Sequence, residues 1–225
     1  MYRLYHHPVC PFSRKVRLHL AAKNIQFESV VENFWLRRKE FIAISPSSRA
    51  PVLVDSDQDV VICGGHVIAE YIEEKEDIGR NFIGEEITQR AEVRRLQSWF
   101  DDKFYREVIK FILNERFFYR YFATSTAPDT EVLRFARKNS ESHFEYIEEL
   151  LETRKYLAGD LISLADFTAV AQISLLDYFG DINWNHYKIM KEWYSIIKSQ
   201  KIFAPLLQDR LTNIRPCDWY SNLDF

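Results

Sequence analysis

Ser45-Pro46-Ser47-Ser48-Arg49-Ala50-Pro51-Val52-Leu53-Val54-Asp55 holds two prolines and a polar loop, then a compact apolar run that reads as a buried strand. Pro51 stands directly before that strand, where it either edges a sheet or makes a tight turn. An X-Pro bond adopts the cis form at little cost, and a cis bond here turns the backbone of Ala50 outward. That leaves the N–H and C=O of Ala50 free to pair with an extended, peptide-like ligand, as an added strand would.

The elements around this stretch give it a frame. Upstream, Tyr2 to His6 alternates and ends at Pro8, which suits a short strand running into a turn. Pro11 lies at the first turn of a helix, where its missing N–H costs nothing, and Asn24 suits the helix end. Gln26 to Val31 reads as a second strand, parallel to the first through a right-handed crossover. Asn33 to Ile44 is aromatic, basic and partly helical. Downstream, Val52–Asp55 and Val60–Ile62 pair as a hairpin across Ser56-Asp57-Gln58-Asp59. A helix from Gly65 follows, with Val67, Ile68, Tyr71 and Ile72 on one stripe. The order βαβ–loop–ββα is that of a small α/β domain of thioredoxin type.

Beyond residue 78 the pattern changes. Residues 79–87 are charged, carry Gly79 and Gly84, and read as a linker. Residues 88–211 read as all-helical. Val93, Leu96, Phe100, Phe104, Val108 and Phe111 step by three and four, as do Leu133, Ala136, Ser140, Phe144, Ile147 and Leu151. Pro128 and Asp129 mark the start of that second helix. Ser163-Leu164-Ala165-Asp166 has the spacing of a capping box, a folding signal with no catalytic role. Residues 212–225 form a tail without period.

Bulk properties narrow the function. The 225 residues are 47% hydrophobic and 15% aromatic, with net charge -3, which fits a globular protein and argues against a nucleic-acid surface. No apolar stretch approaches the roughly 20 residues of a membrane span, and the N-terminus lacks the apolar region of a secretory signal. Cys10, Cys63 and Cys217 are an odd set without paired spacing, so the expected compartment is the reducing cytoplasm. His7 and Cys10 resemble half a metal site, but no second pair accompanies them and no metal is expected.

A thioredoxin-like half followed by an all-helical half resembles the glutathione transferase family over nearly the whole chain. The residues that carry the likeness are Ala50-Pro51-Val52-Leu53, Val67-Ile68-Ala69-Glu70-Tyr71-Ile72, and Leu161-Ile162-Ser163-Leu164-Ala165-Asp166-Phe167. The resemblance implies a cis bond before Pro51 and a homodimer. It also points to Cys10-Pro11-Phe12-Ser13-Arg14. Cys10 stands at a helix N-terminus, where the dipole favours a thiolate. In cysteine-type relatives this position forms a mixed disulfide with glutathione. The plain alternative is a partly buried cysteine without turnover. One departure stands out. Glutathione-binding relatives commonly place an acidic residue and a serine at the start of the third helix, and here those positions are Gly64 and Gly65. Backbone N–H groups at Ala50, Gly64 and Gly65, beside Pro51, are what remains to receive glutathione, so no cofactor is required and glutathione stays a possible co-substrate.

The tail supplies a second likeness. Arg215-Pro216-Cys217-Asp218-Trp219-Tyr220-Ser221-Asn222-Leu223-Asp224-Phe225 either folds back over the core or offers aromatic anchors to a partner. It resembles the C-terminus of a bacterial branch of the family, the transferase-like cell-division proteins that bind the tubulin homologue FtsZ. Phe34-Trp35-Leu36-Arg37-Arg38-Lys39-Glu40-Phe41 and Leu176-Asp177-Tyr178-Phe179-Gly180-Asp181-Ile182-Asn183-Trp184 agree with that branch. Two expectations follow. The first is a non-catalytic scaffold that binds FtsZ filaments through Trp35, Trp219, Tyr220, Leu223, Asp224 and Phe225, although Trp35 equally suits a core or dimer interface. The second is a glutathione S-transferase or glutathione-dependent thiol reductase using Cys10, with an acceptor site from Phe104, Tyr105 and their neighbours.

Overall fold

β1 (Tyr2–His6) leads through α1 (Pro11–Ala22) to β2 (Phe27–Val31), which pairs with β1 in parallel, Tyr2 opposite Phe27 and His6 opposite Val31. The computed structural model describes residues 1–122 and 127–223. α2 (Lys39–Ile44) precedes β3 (Val52–Asp55), which runs antiparallel to β1 with Leu4 opposite Leu53. β4 (Val60–Cys63) completes the hairpin and α3 (Gly65–Lys75) closes the half. The sheet order is β2-β1-β3-β4, and the Ala50–Pro51 bond is cis. Pro51 thus leads into a central strand, next to the start of α1.

Local signals explain the boundaries. α1 begins at Pro11 and ends at Ala22, where Asn24 takes a left-handed φ of 55°. The Asn24 amide then donates to Ala21 O at 3.1 Å and the Ile25 amide to Leu20 O at 2.9 Å, so two otherwise orphaned carbonyls are satisfied. One face of the sheet packs Leu4 and Leu53 against Val16 and Leu20 of α1 and Ile68 and Ile72 of α3, all fully buried. Val9 and Leu18, from the same half, point the other way and join the core of the helical half.

Residues 87–122 form one long helical run. It opens with α4 (Ile87–Ser98), widens to π turns over Trp99–Ile109, and continues through α5 (Lys110–Leu113) and a second π stretch to α6 (Tyr119–Phe122). The widening has a reason in the sequence. Leu96, Phe100, Phe104, Val108 and Ile112 are spaced by four and all are buried. At 3.6 residues per turn, that spacing drifts around an α-helix by about 40° per step. Turns closed by i→i+5 bonds offset the drift and hold the five side chains on one face.

α7 (Thr130–Thr153) starts at Asp129, whose side chain accepts from the Glu131 and Val132 amides. α8 (Leu164–Phe179) is the central helix, buried all round as an apolar helix must be. α9 (Lys188–Lys198) and α10 (Ala204–Leu207) pack behind it. The capping box is present. Asp166 accepts from the Ser163 amide at 2.9 Å, and Ser163 Oγ accepts from the Ala165 amide at 3.3 Å. Asp166 also accepts from the Leu157 amide at 2.9 Å and the Trp193 indole at 3.0 Å, so one carboxylate ties three segments together. Burial pushes its pKa up, against the pull of those donors.

Asp166→Ala leaves these buried donors without an acceptor, at roughly 1–3 kcal/mol each. We expect urea unfolding to show a loss of at least about 3 kcal/mol. A loss below about 1 kcal/mol would show the box to be dispensable.

Candidate functional site

Cys10 is the residue before the first turn of α1, with φ -86° and ψ 116°. Its amide donates to His7 O at 2.9 Å, and its carbonyl accepts from the Arg14 amide at 3.0 Å. The side chain is 5% exposed, and Sγ–H donates to Ala50 O at 3.4 Å. The helix dipole therefore does not decide its ionisation. Burial pushes the Cys10 thiol up, although hydrogen bonds from Ser13 and Phe12 pull the other way. The Ala50 carbonyl already accepts the thiol, so a ligand strand would share it.

Beside Cys10 lies a cleft of about 460 Å³ between the two halves. Cys10, Phe12, Phe34 and Ala50 line one wall, and Tyr105, Leu113 and Phe118 the other. The Phe12 and Tyr105 rings meet at 4.9 Å. Arg49, Asp101, Asp102, Arg106 and Lys110 also line it and give it charge of both signs. Tyr105 reaches the cleft as the sequence suggested, but Phe104 does not. It is fully buried on the inner face of the helical run, 4.9 Å from the His143 ring. Arg49, Phe34 and Phe118 escaped the sequence reading, since a loop arginine and two ordinary phenylalanines carry no local signal.

Gly64 and Gly65 do not line this cleft. Gly64 has φ +97°, and its amide donates to Pro51 O at 3.0 Å. A Cβ on Gly65 would lie 3.1 Å from Phe12 O and 3.2 Å from Phe12 Cβ, so α3 begins hard against α1. Pro51 is buried beneath the site. The acidic and hydroxyl side chains that the family resemblance leads one to expect are absent, and a side chain at 65 would press on Phe12 while one at 64 would meet nothing within 4 Å. These residues do not fit that mode of anchoring.

The partner-binding candidates separate into four groups. Trp35 is half-buried in an aromatic cluster that spans the halves. Its ring lies 4.7 Å from His7, 5.3 Å from Phe117 and 5.1 Å from Tyr121. It packs between the halves with part of its surface exposed, as a core or interface residue does. Tyr220 is fully buried and presents no face to a partner: apolar area and hydrogen-bond partners draw the ring inward. Trp219 and Leu223 remain on the surface at 40% and 39% exposure. Asp224 and Phe225 lie outside the described residues. Among the described residues no group of three His, Cys, Asp or Glu side chains could hold a metal ion. None of their helices is long and apolar enough to cross a membrane.

The sheet order, the cis-proline beside the start of α1 and the helical second half define a class. Residues 9–75 match the glutathione S-transferase N-terminal domain and residues 112–200 the C-terminal domain, and the chain belongs to the glutathione S-transferase family. It is 42% identical over 224 residues to FtsZ-localized protein A of Caulobacter vibrioides, covering 99% of this chain and 97% of that protein. The solved structure of FzlA from C. crescentus superposes with a TM-score of 0.96 at 42% identity, over 100% of this chain and 99% of that one. A glutathione S-transferase from Rhodospirillum rubrum superposes with a TM-score of 0.95, also at 42% identity, over all of both chains.

The cysteines should therefore alkylate in a set order at neutral pH. Cys63 is exposed, Cys217 is half-buried with its thiol pushed up to about 11 by burial, and Cys10 is buried. We expect iodoacetamide, followed by mass spectrometry, to label Cys63 first and Cys10 last. Labelling of Cys10 as fast as Cys63 would mean that the thiol is exposed and activated after all.

Proposed function

We propose that the protein is a glutathione-transferase-like scaffold that binds filaments of FtsZ and carries out no glutathione turnover. The observation that carries the reading is the 42% identity with FtsZ-localized protein A over 99% of the chain, tail included. The closed pairing of the Cys10 thiol with Ala50 O supports it, since a nucleophile held as a buried thiol is poorly placed for attack. Trp219 and Leu223 supply exposed apolar contacts on the tail, next to the acidic Asp218 and Asp224 of the sequence. The setting we propose is the cytoplasm, and the working form a homodimer. Val60 and Val61 on the edge strand β4 and Val67 on α3 each leave apolar area exposed that a second copy would cover. A dimer carries two tails, so it holds two filament subunits at once and bundles or curves filaments through effective concentration.

The second reading is a glutathione S-transferase or thiol reductase using Cys10. What favours it is the cleft beside the thiol, with Tyr105 and Phe12 facing a would-be acceptor. Calorimetric titration of the reduced protein with glutathione separates the two. The scaffold reading expects no saturable binding tighter than about 1 mM, where the free energy is only about -4 kcal/mol. Saturation in the micromolar range would return Cys10 to a catalytic role.

Deleting Leu223 to Phe225 tests the scaffold directly. Co-sedimentation with FtsZ filaments should weaken by about tenfold, the equivalent of about 1.4 kcal/mol, while the melting temperature holds. Undiminished co-sedimentation would remove the tail from the interface.

A further inference from the structure

The last described stretch of the chain alternates sharply between surface and core. Trp219 is 40% exposed, Tyr220 fully buried and Leu223 39% exposed. Tyr220 is held by partners from both halves. Its hydroxyl donates to Leu206 O at 3.0 Å and accepts from Arg14 Nη1 of α1 at 3.2 Å. Its ring meets Tyr178 of α8 edge-on at 5.0 Å, and Lys198 Nζ lies 5.4 Å from the ring centroid. The approach to it is fixed as well. The Cys217 amide donates to Tyr178 O at 2.9 Å and Cys217 Sγ–H donates to Asp177 O at 2.9 Å. Gly180 lets the strap close against the end of α8, since a Cβ there would lie 3.3 Å from Cys217 Cβ and 3.5 Å from the Trp219 ring.

We propose that Tyr220 is a positioning residue for filament binding: its buried side chain pins the tail to both halves and holds Trp219 and Leu223 on the surface in one pose. This rests on the scaffold reading above and deepens it. A free C-terminal peptide must lose backbone and rotamer freedom when it docks. A tail clipped at residue 220 has lost that freedom before the partner arrives, so more of its contact energy appears as affinity. The clip also ties partner binding to the seating of α1 on α8, because Arg14 supplies one of its hydrogen bonds.

The test uses the full chain in three forms: Tyr220→Phe, Tyr220→Ala and the Leu223–Phe225 deletion. Each is measured by co-sedimentation with FtsZ filaments and by hydrogen exchange at the amides of residues 217 and 220. The expected result is faster exchange at both amides in Tyr220→Ala and about tenfold weaker binding, with Tyr220→Phe between it and the unaltered chain. A merely structural tyrosine would lower the melting temperature and leave the affinity of the folded protein unchanged. Released tail amides with undiminished binding would overturn the proposal, showing that the tail acts as a flexible peptide. Loss of binding with the tail amides still protected would overturn it too. If Tyr220→Ala does not fold, Tyr220→Phe decides, and unchanged binding there is a refutation. The deletion keeps the two levels apart. Binding that survives the deletion removes the tail from the filament interface, whereas binding lost in the deletion but kept in the Tyr220 variants removes only the clip.

Discussion

Arg14 carries a positive charge into a site with no solvent exposure, and acceptors from three parts of the chain meet it there. Nε donates to Pro8 O at 2.7 Å, Nη1 to Ser174 Oγ at 2.8 Å and to Tyr220 OH at 3.2 Å, and Asp209 lies 3.8 Å from Nη2. Desolvating a guanidinium costs several kcal/mol, so these partners are required once the group is inside. They also fix geometry. One side chain spaces the β1–α1 turn, the central helix and the tail from a single point. An apolar contact between α1 and α8 could slide by part of a turn, but a fork of directed donors cannot. Lys198 and Asp177 repeat the arrangement about one turn along α8, paired at 2.9 Å with no exposure of either, and Asp177 also accepts from the Tyr194 hydroxyl at 3.1 Å.

The same region sets the surroundings of the thiol at the start of α1. A helix N-terminus offers about half an elementary charge, spread over amides that have other uses. Burying the sulfur removes the water that would solvate a thiolate, and the Ala50 carbonyl rewards the protonated form. Burial outweighs the hydrogen bonds from Ser13 and Phe12, and the thiol is pushed up. In this chain the cleft touches Cys10 but leaves it 5% exposed.

Much of the fold was legible because its signals are local. The alternation of Tyr2 to His6, Pro11 at a first turn, the Ser56–Asp59 loop and the Ser163 box each act within a few residues, and each element stands where those residues put it. The π turns between Trp99 and Ile109 were not legible, since the steps of three and four from Val93 to Phe111 are those of an α-helix, and it is Ile112 and not Phe111 that the widened turns bury fully. The site was less legible because its determinants are long-range. Trp35 is placed by Phe117 and Tyr121, some eighty residues on, and Tyr220 by Arg14, at a separation of 206 residues. An aromatic residue in a polar tail reads as an anchor for a partner until the pocket that takes it is known. Phe104 and Tyr105 are neighbours in sequence, yet one faces the core and the other the cleft, since a helix turns about 100° per residue.

The packing of Gly65 on Phe12 limits what a substitution at the start of α3 can do. A non-glycine residue at 64 must bear φ +97°, and a Cβ at 65 would press on Phe12 at 3.1 Å until that residue gave by a few tenths of an ångström. Phe12 follows Pro11 in the first turn of α1, two residues before Arg14. A change at the start of one helix is therefore felt at the start of the other, and the two tolerate substitution as a pair.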